Sequence, residues 1–299
     1  MDVLMGMQHE LRIKTPVALP CCKEVPVSIC YISSMSDMPY FRKALLNKPL
    51  DHMSDTPSFP DSSRWEKAQE YESAWWKNVT DIYDTEYLER FASDIEDKLA
   101  KTDLNISEAD IIEVGAGPVG IVSCLRGRRR VATDPLDNLF ESVDTYHRYR
   151  EKAREHGVSY MEAKGEKLPF DDQEFDLLIT DNVLDHTESP DQIISEARRV
   201  LKPGGMVYLR LNVYHFWGRF IRWLMELAVI DRGHPYTFSS GKLKAMVEEH
   251  GFQILSSHRA PFLVSWKKDL SRALGGNRKA LIQALLFVSR AQHELLLRR

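Results

Sequence analysis

The sequence predicts an α/β protein: a mostly parallel seven-stranded sheet with helices on both faces, preceded by N-terminal helices and carrying a helical insert. Two observations lead there. From Asp110 onward, short apolar runs alternate with amphipathic stretches, the element order that builds a parallel sheet covered on both sides. A glycine loop, Gly115-Ala-Gly117-Pro-Val-Gly120, directly follows the first of those runs, and open sheets of this kind bind ligands at the carboxyl ends of their strands. The 299 residues are 43% hydrophobic and 28% charged, which suits a globular chain with one large core. Forty Lys and Arg stand against forty-four Asp and Glu, a net charge of −4. A dedicated nucleic-acid binder is normally basic, so no nucleic-acid partner is expected.

Each element has its own signal. Residues 1–62 contain seven of the fourteen prolines and little periodicity, which predicts an irregular arm. Ser63 with Glu66 forms a capping-box pattern that opens a helix through Trp76. A second helix, about Asp81–Leu99, puts Tyr87, Leu88, Phe91, Ile95 and Leu99 near one face. These helices make a layer over 63–105. Strands are predicted at Ile111–Val114, Arg130–Thr133, Ser159–Ala163, Phe175–Thr180, Met206–Leu211 and Phe252–His258. Helices fall between them at Val119–Leu125, Leu136–His156, Asp191–Leu201 and Ser240–His250. Pro203-Gly204-Gly205 stops one helix and starts the next strand. An apolar helical insert, Phe216–Ile230, lies in a lid spanning 213–237 of a domain covering 106–260. The basic segment 261–299 reads two ways: Leu285–Arg290 as a seventh strand, or one helix over Arg278–Leu297.

Chemistry concentrates at the strand ends. Glu113 precedes the glycine loop and would repel a pyrophosphate, while it suits a ligand with a cationic group. Asp134 ends the next strand, where a carboxylate can accept both hydroxyls of a ribose. The loop alone also fits a dinucleotide, so an NAD-dependent oxidoreductase is an alternative. A protein that binds a cofactor without catalysis is another. The four cysteines, Cys21, Cys22, Cys30 and Cys124, have no metal-type spacing, and no metal is expected. Their sparsity, and the absence of a signal-peptide pattern at Met1–Lys14, predict a reducing, cytoplasmic location.

The motifs in series resemble a known family. Ile112-Glu-Val-Gly-Ala-Gly-Pro118, Ala132-Thr-Asp134-Pro, Gly165-Glu-Lys-Leu-Pro-Phe170, Asp181-Asn-Val-Leu-Asp-His186 and Ala197-Arg-Arg-Val-Leu-Lys-Pro-Gly-Gly205 follow the order seen in class I S-adenosylmethionine-dependent methyltransferases. The group resembled is the one with a type 11 methyltransferase domain, over about 110–258. The resemblance implies a Rossmann-like fold and S-adenosylmethionine as cofactor. It implies that Glu113, Gly115, Ala116 and Gly117 line the methionine part and that Asp134 holds the ribose. Pro135 and Leu136 would flank the adenine, Gly165 and Glu166 its edge, and Asp181 and Asn182 the methionine moiety. Two positions depart from the family: Val119, where a glycine is common and a side chain would narrow the loop, and Lys164, where an aspartate is common.

The acceptor implied is a small-molecule or carrier-linked glycan, lipid or secondary metabolite, methylated at oxygen. A hydroxyl acceptor benefits from a general base, and neutral histidine suits that role near pH 7. His186, His215 and His234 follow strand ends or lie in the lid; His186 and His234 are the candidates carried forward. Trp65, Tyr71, Trp75 and Trp76 read as packing residues, with a pocket wall as the second reading. Arg259–Arg299 has nine Lys and Arg against two acids, a patch suited to a membrane surface or simply to water.

Overall fold

The computed structural model describes residues 62–78, 85–227 and 236–299. The predicted arm up to residue 61 and His234 lie outside them. The sheet has seven strands: β1 (Asp110–Val114), β2 (Arg129–Asp134), β3 (Val158–Glu162), β4 (Phe175–Asp181), β5 (Leu201–Val213), β6 (Gln253–Arg259) and β7 (Ala291–Arg298). Their order is β3-β2-β1-β4-β5-β7-β6. Neighbours from β3 to β5 pair in parallel, and β7 runs antiparallel to both β5 and β6. The predicted α/β class and mostly parallel sheet are therefore what the chain forms.

The central strands are buried on both faces, and their period of two sorts the core into two layers. Ile112, Val114, Leu178, Val207, Leu209, Leu211, Leu295 and Leu297 face one layer. That layer is closed by α5 (Pro190–Val200) and α7 (Ser240–Glu249). Ile111, Leu177, Ile179, Met206, Tyr208 and Leu296 face the other, closed chiefly by α2 (Thr85–Leu99). Leu88, Phe91, Ala92, Ile95 and Leu99 give α2 one apolar stripe. Ser189 caps α5 by accepting from the Gln192 amide at 3.3 Å, with Pro190 at the first helical position.

The structure corrects three predicted elements. In place of a helix over Val119–Leu125 stands a single 3₁₀ turn, Ile121–Ser123. Gly120 has φ +78, ψ 149, a conformation that favours glycine, and the turn's amides bind the Glu113 carboxylate, so the chain returns to β2 without a full helix. In place of one helix over Leu136–His156 stand α3 (Asp137–Ser142) and α4 (Asp144–Glu155), broken at extended Val143. The break has a packing cause. Phe140 and Tyr146 are six residues apart, which on a continuous helix would point them about 120° apart, yet both are fully buried edge-on against Trp76.

The third correction concerns the chain's last part. Neither Leu285–Arg290 as a strand nor one helix over Arg278–Leu297 is formed. Instead α8 (Phe262–Leu274) and α9 (Arg278–Leu285) precede β7. Gly275 and Gly276, the latter at φ +90, separate the helices, and Asn277 caps α9 through the Ala280 amide at 2.9 Å. The seventh strand thus starts at Ala291 and sits inside the sheet. Two further helices complete the described residues, α1 (Ser62–Asn78) and α6 (Phe216–Leu227).

Leu295 on β7 has no exposed surface. Leu295→Ala lowers the unfolding free energy by about 2–5 kcal/mol in urea melts. Exposed Leu285→Ala changes it by less than about 0.5 kcal/mol. Equal effects would contradict the placement of β7.

Candidate cofactor-binding and active site

At the carboxyl ends of β1, β2 and β4, three short segments remain partly accessible: Gly115–Gly117, Pro135–Asp137 and Asp181–Val183. The first is the glycine loop. Its Gly115 and Ala116 amides donate to the Thr133 carbonyl at 2.8 and 3.0 Å, and its Gly117 amide donates to Asp134 Oδ2 at 2.9 Å. Gly115 has φ +71, and a Cβ there would stand 2.3 Å from Val183 Cγ2. Only glycine accepts both the conformation and the contact.

Asp134 is almost fully buried. Its Oδ1 accepts from the Leu136 amide at 2.8 Å, so each oxygen holds one backbone donor and keeps a free lone pair. Burial pushes its pKa up to about 6, against those two amides, which pull it down. Glu113 is more confined. Oε2 accepts from the Val122 amide at 2.8 Å, and burial pushes its pKa up to about 8. Its carboxyl is directed at the turn after the loop.

The other acids are equally engaged. Glu166 accepts from the Glu188 and Ser189 amides at 2.9 and 3.3 Å, at the start of α5. Gly165 beside it is buried, and a Cβ would lie 2.8 Å from Val114 Cγ1. Asp181 takes two bonds of 2.6 Å from Arg210 on β5. Arg210 donates also to the Tyr87 hydroxyl at 2.6 Å and lies 3.5 Å from the Phe91 ring centroid. Asn182 has φ +58, a strained conformation for a non-glycine residue, and its side-chain oxygen accepts from Asn212 Nδ2 at 2.5 Å.

Helix α1 crosses this edge, whereas the sequence offered a pocket wall only as the second reading of its aromatic residues. Trp65 lies under Lys164 Nζ at 3.7 Å, Glu72 Oε1 is 3.4 Å from His186 Nδ1, and Trp76 is the neighbour a Cβ on Gly117 would meet. His186 Nε2 lies 3.7 Å from Asp185 Oδ1. Asp185 and Glu72 were not singled out from sequence; adjacency to His186 was a signal for the first, and no spacing pointed to the second.

Two expectations change. His215 is a structural residue: Nε2 bonds the Phe287 carbonyl at 2.8 Å and Nδ1 accepts from Gly218 at 3.4 Å. Val119 does not narrow the loop: it is buried in the core, and its carbonyl accepts from the Tyr160 hydroxyl at 2.7 Å.

The strand order separates this fold from the dinucleotide-binding order 3-2-1-4-5-6, because a reversed strand is wedged between the last two. Residues 112–209 match the family described as "Methyltransferase domain". This segment is a methyltransferase domain. An uncharacterized methyltransferase of Mycobacteroides abscessus is 27% identical over 141 residues, 42% of this chain and 52% of that protein. The 2-methyl-6-phytyl-1,4-hydroquinone methyltransferase 2 of Oryza sativa subsp. japonica is 31% identical over 127 residues, 41% of this chain and 35% of that one. The chain spans only about a third to a half of such curated relatives. In fold, it is similar to a putative sarcosine dimethylglycine methyltransferase from Galdieria sulphuraria. That similarity has a TM-score of 0.53 at 13% identity, covering 78% of this chain and 98% of that one.

The two raised carboxyls set a pH dependence. From its ordinary 4.5 up to about 8, folded Glu113 keeps a proton that the unfolded chain has lost. Stability therefore falls as pH rises through that window. Asp134 adds the same sign between 3.8 and about 6. Glu113→Gln keeps an acceptor for Val122 and removes the Glu113 contribution. In urea melts across the window, the variant gains on the wild type as pH rises; parallel pH curves would contradict it.

Proposed function

We propose that the protein transfers a methyl group from S-adenosylmethionine to a small or medium-sized acceptor, at oxygen. The observation that carries this reading is Asp134: a buried carboxylate beside the glycine loop, with one amide on each oxygen and a free lone pair left on each. A ribose diol offers two donors. Their bonds would favour the ionised form that burial disfavours. The residues therefore fit the nucleoside part of the cofactor, and the family match supports this cofactor over a nicotinamide one.

When bound, S-adenosylmethionine supplies an electrophilic methyl on a sulfonium. The chain supplies position. Gly115, Ala116 and Gly117 offer close backbone approach, with Pro135 and Leu136 beside them. Glu113, Glu166 and Asp181 act through what they hold: the turn at Ile121, the start of α5, and Arg210. Asn182 and Gly165 shape the loops between. His186 takes the acceptor's hydroxyl proton, and Glu72 and Asp185 stabilise the imidazolium it becomes. Helix α1 keeps water from the reacting atoms. His234 belongs to the same proposal as a second base.

A lipid-type acceptor is supported by the rice relative's name, a phytyl hydroquinone methyltransferase. A cytoplasmic location is part of this reading. It is supported by the sparse cysteines, four in 299 residues with no disulfide-scaffold spacing.

Calorimetric titration with S-adenosylmethionine and S-adenosylhomocysteine tests the cofactor. Asp134→Ala weakens both about 10- to 100-fold; unchanged affinity would sink the reading. Once a mass-spectrometric screen identifies an acceptor, His186→Ala lowers kcat about 10²–10⁴-fold at unchanged cofactor affinity. A wild-type kcat would remove His186 as the base.

A further inference from the structure

Three helices leave the sheet at the same edge. α6 follows the carboxyl end of β5, α8 follows that of β6, and α9 leads into β7, whose Ala291 pairs with Val213. They are tied into one unit. Trp217 Nε1 donates to the Leu286 carbonyl and Trp266 Nε1 to the Ala284 carbonyl, each at 3.0 Å, and Trp266 stacks on Phe287.

The outer face of this unit is apolar. Leu263, Val264 and Leu274 on α8 are exposed, the last at 84%. At 100° per residue they share an arc of about 140° with Lys267 and Lys268. On α9, Leu281, Ile282 and Leu285 are exposed, followed by Leu286 and Phe287 just beyond it. Phe216, 70% exposed, and Trp217 continue the patch from α6. Isolated exposed apolar residues are ordinary, but a contiguous group on three bonded helices marks a contact surface.

Charge identifies the occupant. Between Arg259 and Arg290 the chain has seven Lys and Arg and a single acid, Asp269. That acid is buried and lies 3.4 Å from Arg272. A symmetric pairing with a second copy would set this cationic patch against itself. Exposed apolar side chains beside cationic ones suit the surface of an anionic bilayer. Lysine stems can lie along apolar side chains while their heads reach lipid phosphates.

We propose that the exposed face of α8 and α9, continued by Phe216 and Trp217, docks on an anionic lipid bilayer. This goes beyond methyl transfer and does not depend on it.

Co-sedimentation of the full chain with vesicles tests it. Vesicles of equimolar phosphatidylcholine and phosphatidylglycerol bind at least about tenfold more protein than phosphatidylcholine alone, and added salt releases it. Leu274→Asp with Leu285→Asp abolishes binding, and Lys267→Glu with Lys268→Glu reduces it, while circular dichroism and Tm stay unchanged. Both pairs are exposed, so the variants fold. No binding to the anionic vesicles, equal binding to both compositions, or binding that survives the leucine changes would each overturn the proposal. So would a wild-type dimer, seen in sedimentation velocity, that the leucine changes turn into a monomer.

Discussion

A carboxylate taken out of water loses its hydration, and the loss is tolerable only where donors replace the water or the group gains a proton. The carboxyl edge of this sheet is crowded with acids under that constraint, and the loops take the shapes that answer it. Glu113 draws in the amides after Gly120, which replaces a helix by one tight turn. Asp134 holds Gly117 on one side and Leu136 on the other. Glu166 meets the Glu188 and Ser189 amides just ahead of α5, where the helix dipole also favours a negative charge. Asp181 recruits Arg210, and through it Tyr87 and Phe91 of α2. Each acid thereby fixes one of the loops at this edge.

The two ends of the sheet divide their labour. At the amino ends, Lys202 joins Asp110 and Asp176 at 3.2 and 2.8 Å, and Arg128 also pairs with Asp110. These ions tie β1, β4 and β5 together far from the glycine loop. The carboxyl end carries strain at Asn182, the close approach at Gly115 and the crossing helix α1. Substitutions at one end can alter stability with little effect on the chemistry assigned to the other.

What the sequence disclosed follows the range of its signals. Strands β1 and β4 are short runs dominated by Ile, Leu and Val, and a strand buried on both faces is read from such runs. The glycine loop and Asp134 were legible for the same local reason. β7 was not. Glu294 followed by three leucines reads as helix as readily as strand, and its alternation is settled by partners at β5 and β6 that are distant in sequence. The break at Val143 was hidden because Phe140 and Tyr146 turn toward Trp76, which belongs to another element. The acids were legible as strand-end groups, but their partners were not: nothing near Asp181 in the chain announces Arg210. For His186, the neighbouring Asp185 was in view and Glu72 was not.

The position of β7 has a consequence for how the chain assembles. Synthesis runs from the N-terminus, so β5 and β6 emerge before the strand that separates them. Until residues 291–298 arrive, both present rows of unpaired amides and carbonyls, and the two can even pair with each other in a wrong neighbourhood. Such bare edges are templates for aggregation. The nascent chain therefore passes through a vulnerable interval, which ends only when its final strand slides into the gap and closes the sheet from within.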